Sequence, residues 1–450
     1  MRLTLVFLAA LLGALPASAT PDSTQVLTLG AAVQTALRNS PAVLQSQAQR
    51  DAASAARGEA RAMRLPHVQV REVAIRTDSP ADAFGLTLMQ ERFSFPAFVA
   101  GDPNHPDPVD NFATEFEATW PIFVGGRVMA GVNQTTQMAT AAEASHGHTR
   151  EAVALATASA YMNAVLAERS VELARRARDT TARHVDQAQA FFDAGMVVES
   201  DLLLARVQLA RMEEKLIAAE NGVLLARARL FQWMGVEQSS DVALDPDVGA
   251  LDSSSASFDS SLAGAFERRN DVRASEAQVR AADFGIKRAK GEYLPEVALV
   301  GRYSLNDDKL FGNNGESYAL MAIARWNILD WGQTRSRVSG ARAQHAAAQQ
   351  ERRAHLQAVE FEVRQAWLQA SEARARLGVA AGAVEQAGRA LRILEDRFEQ
   401  GVVRVADLLD AETALDDARV RELNARFDAE RAERTLAFAT GLPPVPEVTP

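Results

Sequence analysis

The chain has 450 residues, a net charge of -10 and no cysteine. The acidic balance argues against nucleic-acid binding, and the missing cysteines exclude a disulfide framework, a cysteine-ligated metal site and a cysteine nucleophile. Beyond the first residues, no stretch approaches the roughly 18 apolar residues of a transmembrane helix. The strands of a membrane β-barrel are not excluded, because they need only about 9–11 residues of alternating polarity.

The N-terminus resembles a secretory signal peptide. Arg2 supplies a positive charge, residues 3–15 are mainly apolar, and the Ala-Ser-Ala of residues 17–19 forms a small-residue cleavage site. The apolar stretch is too short to cross a bilayer as a helix. We therefore expect residues 1–19 to be removed on export and the mature chain to begin near Thr20.

An internal duplication organises the chain. Trp120–Gly126 and Trp326–Gly332 share Trp, Ile and Gly at an offset of 206 residues, which holds without a gap to the end of each repeat. Upstream, Leu65-Pro66 matches Leu294-Pro295 at an offset of 229, so the first copy carries a 23-residue insertion between these motifs. We divide the chain into a first repeat (20–238), an Asp- and Ser-rich linker (239–260), a second repeat (261–442) and a proline-rich tail (443–450).

Long helices are predicted in both repeats. No proline occurs between Pro121 and Pro246 or between Pro295 and Pro443, and a proline inside a helix would cost about 3 kcal/mol. From Leu202 to Leu230, apolar and small residues alternate spacings of three and four, a heptad pattern typical of coiled-coil packing. The predicted helices span about 28–63, 127–193 and 199–234 in the first repeat, and 261–291, 332–399 and 405–440 in the second.

Each repeat also contains two predicted strands. Phe112, Phe116 and Trp120 share one face of an alternating segment, and Glu115 and Glu117 lie on the other. The predicted strands span about 66–76 and 111–121 in the first repeat, and 295–305 and 316–327 in the second. The loop of residues 78–111 holds apolar pieces to which the sequence assigns no role. Each repeat is thus predicted to run helix–strand–strand–long helix–helix.

Four strands cannot close a membrane barrel, because an open edge in lipid leaves backbone groups without hydrogen-bond partners. Barrels need about eight strands, and only wider ones leave a lumen. Three copies would supply twelve strands, so this arithmetic favours a homotrimer. The predicted helix over 127–193 would be roughly 100 Å long at about 1.5 Å per residue, and would therefore project from the membrane into the periplasm.

Three motifs resemble the TolC family of outer membrane efflux proteins (outer membrane factors): Arg269–Val272 leading to Leu294-Pro295, Trp326–Gly332, and Gly401–Asp410. The resemblance covers essentially the whole mature chain. It implies a mainly α protein with a transmembrane β portion, which trimerises into a twelve-stranded β-barrel in the Gram-negative outer membrane on a periplasmic α-helical barrel. It also implies a passive channel of a tripartite efflux or type I secretion system. The implied partners are a periplasmic adaptor (membrane fusion) protein and an inner-membrane transporter of the RND or ABC type; the cargo is not indicated.

The same resemblance implies roles for residues near the predicted helix turns. The turns at Gly195 and Gly401 would form the periplasmic tip that contacts the adaptor. Asp407 and Asp410 would ring a constricted entrance, and Asp201 would occupy a gate-side position. The residue pattern alone also fits a simpler interpretation, in which these acids cap the free N–H groups of helix N-termini.

Trp120 and Trp326 are predicted to be membrane-interface aromatics at the periplasmic rim of the barrel, with a place in the core as the alternative. Val402 and Val403 depart from the family, because polar or basic residues there can form links that close the entrance. The seven histidines form no carboxylate-rich cluster, and no phosphate loop or nucleophile elbow is present. We therefore expect no enzyme, no cofactor and no metal site.

A soluble periplasmic coiled-coil scaffold or adaptor, with the strands in a small sheet outside the membrane, is the alternative function. The alternating polarity of the strands and their aromatic ends favour the barrel. The two functions predict different locations for the protein, the outer membrane or the soluble periplasm.

Overall fold

The computed structural model describes residues 26–237, 242–249, 257–400 and 402–446. The predicted signal peptide and parts of the predicted linker lie outside these residues. Within them the chain is mainly helical, with one four-stranded sheet and one pair of very short strands. None of the helices in this described part combines the length and the apolar character needed to cross a bilayer.

The elements of the first repeat follow one another in this order: β1 (Val26–Leu27), α1 (Leu29–Asn39), α2 (Pro41–Ala62), β2 (His67–Thr77), α3 (Pro80–Met89), α4 (Phe95–Ala100), β3 (Val109–Val124), α5 (Arg127–Asp193) and α6 (Glu199–Met234). Those that follow are β4 (Ala243–Leu244), α7 (Phe258–Arg268), α8 (Asn270–Lys290), β5 (Glu296–Asp307), β6 (Gly315–Arg325), α9 (Gln333–Glu399) and α10 (Val405–Ala439).

Each repeat begins with two helices where the sequence predicted one, over 28–63 and 261–291. In the first repeat the backbone at Ser40 is extended, and Pro41 starts α2, because proline fits the first turn of a helix but not its interior. In the second repeat Arg269 is extended without a proline. Its buried guanidinium binds Asp271, Glu362 and the carbonyl of Ala439, and these contacts hold the break.

The long helices α5 and α9 begin in the same way. Gly126 (φ 75°) and Gly332 (φ 87°) precede them in the left-handed region, which glycine enters without a steric penalty. Each helix has 67 residues, or roughly 100 Å at about 1.5 Å per residue. Each pairs with the shorter helix that follows it, α5 with α6 and α9 with α10.

The four long strands form one antiparallel sheet in the order β2-β3-β5-β6, so the two strands of the first repeat lie beside the two strands of the second. The central pair joins the repeats and places Phe116 opposite Tyr303 and Glu117 opposite Arg302. In the described part of the chain, β2 and β6 each have one partner strand, and their outer edges carry backbone groups with no strand beside them.

The helices form a layer whose two edges continue those of the sheet. Near the sheet, the packing order is α2, α5, α8 and α9; toward the other end it is α6, α5, α10 and α9. Helix α5 therefore has helices of the same chain on both sides, whereas α9 packs against α7, α8 and α10 on one side. One edge of the subunit is thus formed by β2, α2 and α6, and the other by β6 and α9.

The ends of the described chain meet the linker halfway along the helices. Strand β1 pairs in parallel with β4, and the Tyr161 hydroxyl lies 2.6 Å from the Leu27 carbonyl oxygen. Arg434 on α10 is buried and donates to the carbonyls of Pro444 and Val248 at 2.9 and 2.6 Å. The side chains of Tyr161 and Arg434 thereby hold the two chain ends and the linker at the same height along the long helices.

Candidate functional site

The sheet has one apolar face. Antiparallel register places alternate residues of all four strands together on that face, because directly opposed side chains point the same way. Tyr318 and Leu320 on β6 are 80% and 82% exposed. The exposed apolar side chains of this face are Val68, Val70, Phe116, Trp120, Leu299, Tyr303, Tyr318 and Leu320.

The opposite face of the sheet carries a group of charged and amide side chains on β2, β3 and β5. Glu117 accepts hydrogen bonds from Gln69 of β2 at 3.2 Å and from Arg302 of β5 at 2.7 Å, so one carboxylate links three strands. Arg71 pairs with Glu115 one step along the same face. These contacts form a ladder of charged and amide side chains in water. A sheet that is apolar on one face and hydrated and charged on the other is suited to separate lipid from water.

Trp120 and Trp326 occupy equivalent places at the ends of strands near the helices. The indole Nε1 of Trp120 donates to the carbonyl of Arg64 at 3.3 Å, and that of Trp326 donates to the carbonyl of Tyr293 at 3.1 Å. Both indoles are exposed. The alternative, a place in the core, is therefore not what the structure shows, and the predicted role at a membrane interface remains a prediction.

A neighbouring apolar segment, the connection from Trp326 to α9, was not predicted from the sequence. Ile328, Leu329 and Trp331 are all exposed, Trp331 by 90%. Trp331 also has a positive φ of 52°, which is rare for a residue with a side chain. The signal was present in the sequence as two tryptophans within six residues, next to a predicted strand end.

The start of α5 is, by contrast, tightly packed. Gly125 has a φ of 63°, and a Cβ added to it would lie 2.1 Å from the carbonyl oxygen of Gly291. Arg127 and Glu296 form an ion pair at 2.6 Å beside this contact. The junction between sheet and helices therefore requires glycine at position 125 on two grounds, the backbone conformation and the space.

The predicted tip glycine of the first repeat, Gly195, lies at the far end of the long helices. Gly195 has a φ of 73°, and its N–H donates to the Phe192 carbonyl at 2.9 Å, so the chain reverses there between α5 and α6. A side chain at Gly195 would meet nothing within 4 Å, so conformation alone explains this glycine. Gly401 lies outside the described residues.

The charges of all three predicted gate acids favour the charged form of one arginine, Arg404. Arg404 donates to Asp407 at 3.0 and 3.2 Å, one turn before it at the start of α10. This hydrogen bond holds the pKa of Asp407 below its ordinary value. Asp407 contributes most to a raised pKa of Arg404, and the charges of Asp201 and Asp410 also raise it. The structure therefore places all three acids within electrostatic range of Arg404.

Arg404 was missed in the sequence analysis, although an arginine three residues before an aspartate at a helix start is a recognisable local pair. Asp407 also lies in the first turn of α10, as the simpler capping interpretation requires. Its carboxylate, however, bonds the Arg404 side chain.

A buried ion pair joins the repeats just above the tip. His184 of α5 and Glu412 of α10 approach to 2.5 Å between Nε2 and Oε1, and both side chains are almost fully buried. The contact with Glu412 raises the pKa of His184, against the burial that would lower it. Burial also raises the pKa of Asp416, one turn further along α10. No signal in the sequence connects residues so far apart.

The Arg269–Val272 motif has a structural role. Arg269 bonds Asp271 at 2.6 Å and Glu362 of α9 at 2.8 Å, and Asn270 donates to Glu151 of α5 at 2.7 Å. The motif thus holds the break before α8 against the two long helices. Among the described residues, no group of three or more His, Asp or Glu side chains could hold a metal ion.

Comparison with known proteins identifies relatives of both repeats. The family described as "Outer membrane efflux protein" matches residues 32–236 and 262–442. The outer membrane protein TolC of Vibrio cholerae is 23% identical over 406 residues, which cover 87% of this chain and 86% of TolC. Protein CyaE of Bordetella pertussis is 26% identical over 428 residues, or 93% of this chain and 84% of CyaE.

The fold is also found among solved structures. The crystal structure of a membrane protein from Pseudomonas aeruginosa superimposes with a TM-score of 0.79 at 20% sequence identity, covering 92% of this chain and 93% of the other. At this identity the likeness shows a shared fold.

Proposed function

The chain belongs to the outer membrane efflux protein family, and from this premise we propose that three copies form a passive channel across the outer membrane and the periplasm. Each copy contributes four strands to a twelve-stranded barrel, and the long helices form a tube below it. The channel receives its substrates from an inner-membrane transporter through a periplasmic adaptor, as part of a tripartite efflux or type I secretion system. It performs no chemical step of its own.

The two-faced sheet with unpaired edges carries this proposal. An open edge is unstable in lipid because its N–H and C=O groups have no partners. Pairing β2 of one copy with β6 of the next removes every edge when the ring closes. The apolar face, with Tyr318 and Leu320, then meets lipid, and the Glu117–Arg302 ladder lines the water-filled lumen.

Introduced cysteines test this pairing directly, because the chain has none of its own. Val70→Cys in β2 is combined in turn with Tyr318→Cys, Leu320→Cys and Ala322→Cys in β6, all on the apolar face. We expect at least one pair to give a covalent trimer on oxidation in outer membranes. Gln69→Cys, which lies on the opposite face, is the matched control and should give none with these partners.

Location and conductance complete the test. Purified protein should run as a heat-modifiable trimer and form channels in planar bilayers. Release by osmotic shock as a soluble protein, with no conductance and no covalent trimer, would favour a periplasmic scaffold and overturn the channel.

We also propose that Asp407 and Asp410, with Asp201 nearby, form the cation-selective entrance at the periplasmic end. Three copies would place these carboxylates around a narrow pore, where they attract cations. Asp407→Ala combined with Asp410→Ala should raise conductance and weaken cation selectivity. Arg404→Ala should increase cation selectivity, because it removes the positive charge among the acids.

Asp428→Ala is the control for this experiment. Asp428 lies on the same helix, about 30 Å further from the entrance at about 1.5 Å per residue, and should leave selectivity unchanged. If the double variant and Arg404→Ala both keep the selectivity of the original chain, the acids serve only the helix start.

The turns at Gly195 and Gly401 would contact the adaptor, and the exposed apolar side chains Met196, Val198 and Val402 beside them support this assignment. Trp120 and Trp326 would mark the boundary between membrane and water at the periplasmic rim of the barrel. Exposed indoles whose N–H has a hydrogen-bond partner are favoured there. Val402→Asp should reduce adaptor crosslinking while the isolated trimer still assembles and conducts.

A further inference from the structure

The insertion of the first repeat folds over one end of the sheet. It contains α3 and α4 and connects β2 to β3 at the end away from the long helices. The corresponding connection of the second repeat, from Asp307 to Gly315, is much shorter and contains no helix. Any role of α3 and α4 is therefore present once per chain.

Side-chain register shows on which face of the sheet the insertion lies. Ala113 pairs with Asn306, and Asn306 pairs with Gly315, so these residues share a face. Glu117 and Arg302 lie on that same face, an even number of residues further along β3 and β5. The residues that α3 covers are therefore on the polar face.

Buried polar contacts fix α3 to this face. Gln90, at the end of α3, is 1% exposed and donates to the Asn111 side chain at 2.9 Å and to the Asp110 carbonyl at 2.8 Å. Asn111 in turn donates to Asn306 of β5 at 3.2 Å. A Cβ at Gly315 would lie 1.7 Å from the Met89 carbonyl oxygen, so the end of α3 sits directly on β6.

An ion pair provides a second attachment. Arg92, just after α3, bonds Asp308 in the connection of the second repeat at 2.7 Å. The insertion is thus held by both repeats. Satisfied buried amides and a cross-repeat ion pair favour one fixed position rather than a freely moving loop.

The other side of the insertion is apolar. Ala83, Leu86 and Gln90 face the sheet, and Phe84, Leu88 and Met89 are exposed. Phe84 packs with Phe93 and Phe98, with ring centroids 5.3 Å away from each. These rings line a cavity of 430 Å³ between α3 and α4.

We propose that α3 and α4 form a constriction at the outer mouth of the channel, a second narrow point apart from the periplasmic entrance. The inference rests on the proposed barrel, in which the polar face surrounds the lumen. Twelve strands about 4.8 Å apart and tilted by about 40° enclose a barrel about 24 Å wide. Three inserted helices, each about 10 Å thick, would occupy most of that width.

The constriction would also differ chemically from the wall below it. Solutes leaving a lumen lined by Glu117 and Arg302 would pass Phe84, Leu88 and Met89. An apolar ring disfavours small hydrated ions, because they must lose part of their hydration. Removal of the ring should therefore raise ionic conductance.

A single introduced cysteine tests the position of α3. Leu88→Cys trimers in a planar bilayer are exposed to a positively charged thiol reagent on the side opposite the helices. We expect the current to fall in as many as three steps, one for each copy. Leu320→Cys, on the apolar outer face of the barrel, is the control and should show no change.

A deletion tests the size of the effect. Replacement of residues 79–107 by a short turn should raise conductance at least twofold. Failure of the deletion variant to assemble leaves the cysteine experiment as the deciding one. A conducting Leu88→Cys trimer whose current does not respond to the reagent would overturn the constriction. Absence of conductance in the original chain would instead overturn the channel itself.

Discussion

Helices α5 and α9 are equivalent in sequence position and length but differ in their surroundings. Both have 67 residues, at an offset of 206. Met162 of α5 is 1% exposed, whereas Leu368 at the equivalent position of α9 is 54% exposed. The apolar pattern is shared, but α5 has neighbours on both sides within the chain. The difference is expected for the proposed trimer, in which the second neighbour of α9 would belong to another subunit.

The residues that precede the two helices differ in the same way: the one before α5 is covered by the chain, and the one before α9 is exposed. Gly125 and Trp331 occupy equivalent positions and both have positive φ. Gly125 is packed against Gly291, whereas Trp331 has no comparable cover in the described chain and is 90% exposed. Glycine is required at position 125, where the backbone packs against another segment of the same chain. A large side chain is tolerated at position 331, on the edge that a neighbouring chain or lipid would cover.

Substitution of the equivalent helix residues should give the largest effect. Met162→Arg places a charge with no partner in the core, which costs about 3–5 kcal/mol, and should prevent folding. Leu368→Arg should leave helical content intact but abolish the trimer. Circular dichroism and unheated gels would measure the two outcomes. A Leu368→Arg trimer as stable as the original would break the comparison.

Exchanges at the helix starts should give a smaller effect. Gly125→Ala adds a Cβ against Gly291 in a left-handed backbone, and we expect a loss of about 2–4 kcal/mol in unfolding free energy. Trp331→Ala should change protomer folding little, but should lower the melting temperature of the trimer in membranes. Equal losses in the two variants would show that the two junctions are not packed differently.

The pH dependence of the His184–Glu412 pair should be the smallest effect, on the order of 1–2 kcal/mol. The pKa of His184 is raised in the folded chain from its ordinary 6.5, mainly by Glu412. Its stabilising contribution should therefore be complete below pH 6.5 and be lost as the pH rises through the raised value. The nearby charges of Glu395 and Arg183 act in opposite directions.

Melting curves across this pH range would measure the effect. His184→Gln should flatten the dependence, because it removes the titrating group. Glu412→Gln should remove the loss of stability at high pH or reverse its sign, because burial then lowers the pKa of His184. The offset of 206 residues relates His184 to Ala390 on α9 and Glu412 to Arg206 on α6. Ala390 and Arg206 cannot form such a pair. A flattened dependence would therefore assign this sensitivity to the contact within the subunit. If the two variants keep the slope, the pair is not its source.

The long elements were predictable because their signals are local. The absence of proline predicted a helix over 127–193, and α5 is Arg127–Asp193. Alternation predicted a strand over 316–327, and β6 is Gly315–Arg325. Family membership was predictable from three motifs in order, and the family match confirms it. The break at Arg269 was not predictable, because it depends on buried partners rather than on proline.

Contacts between distant segments escaped the sequence analysis. The fold of residues 78–111 depends on Asn306 and Asp308 of the other repeat. The His184–Glu412 pair likewise depends on how α5 and α10 pack. Of the candidate site, the structure shows Asp407 paired with Arg404, whose pKa is also raised by the charges of Asp201 and Asp410. The roles of these acids, of Gly195 and Gly401, and of Trp120 and Trp326 remain predictions.

The meeting of the chain ends and the linker has a consequence for connectivity. Leu27 and Val445 belong to one apolar cluster with Leu244 and Val248. A circular permutation that joins these ends and opens the linker would therefore exchange the order of the repeats while keeping every strand pairing. We therefore expect the permuted chain to reach the same fold, with the four long strands in the order β2-β3-β5-β6.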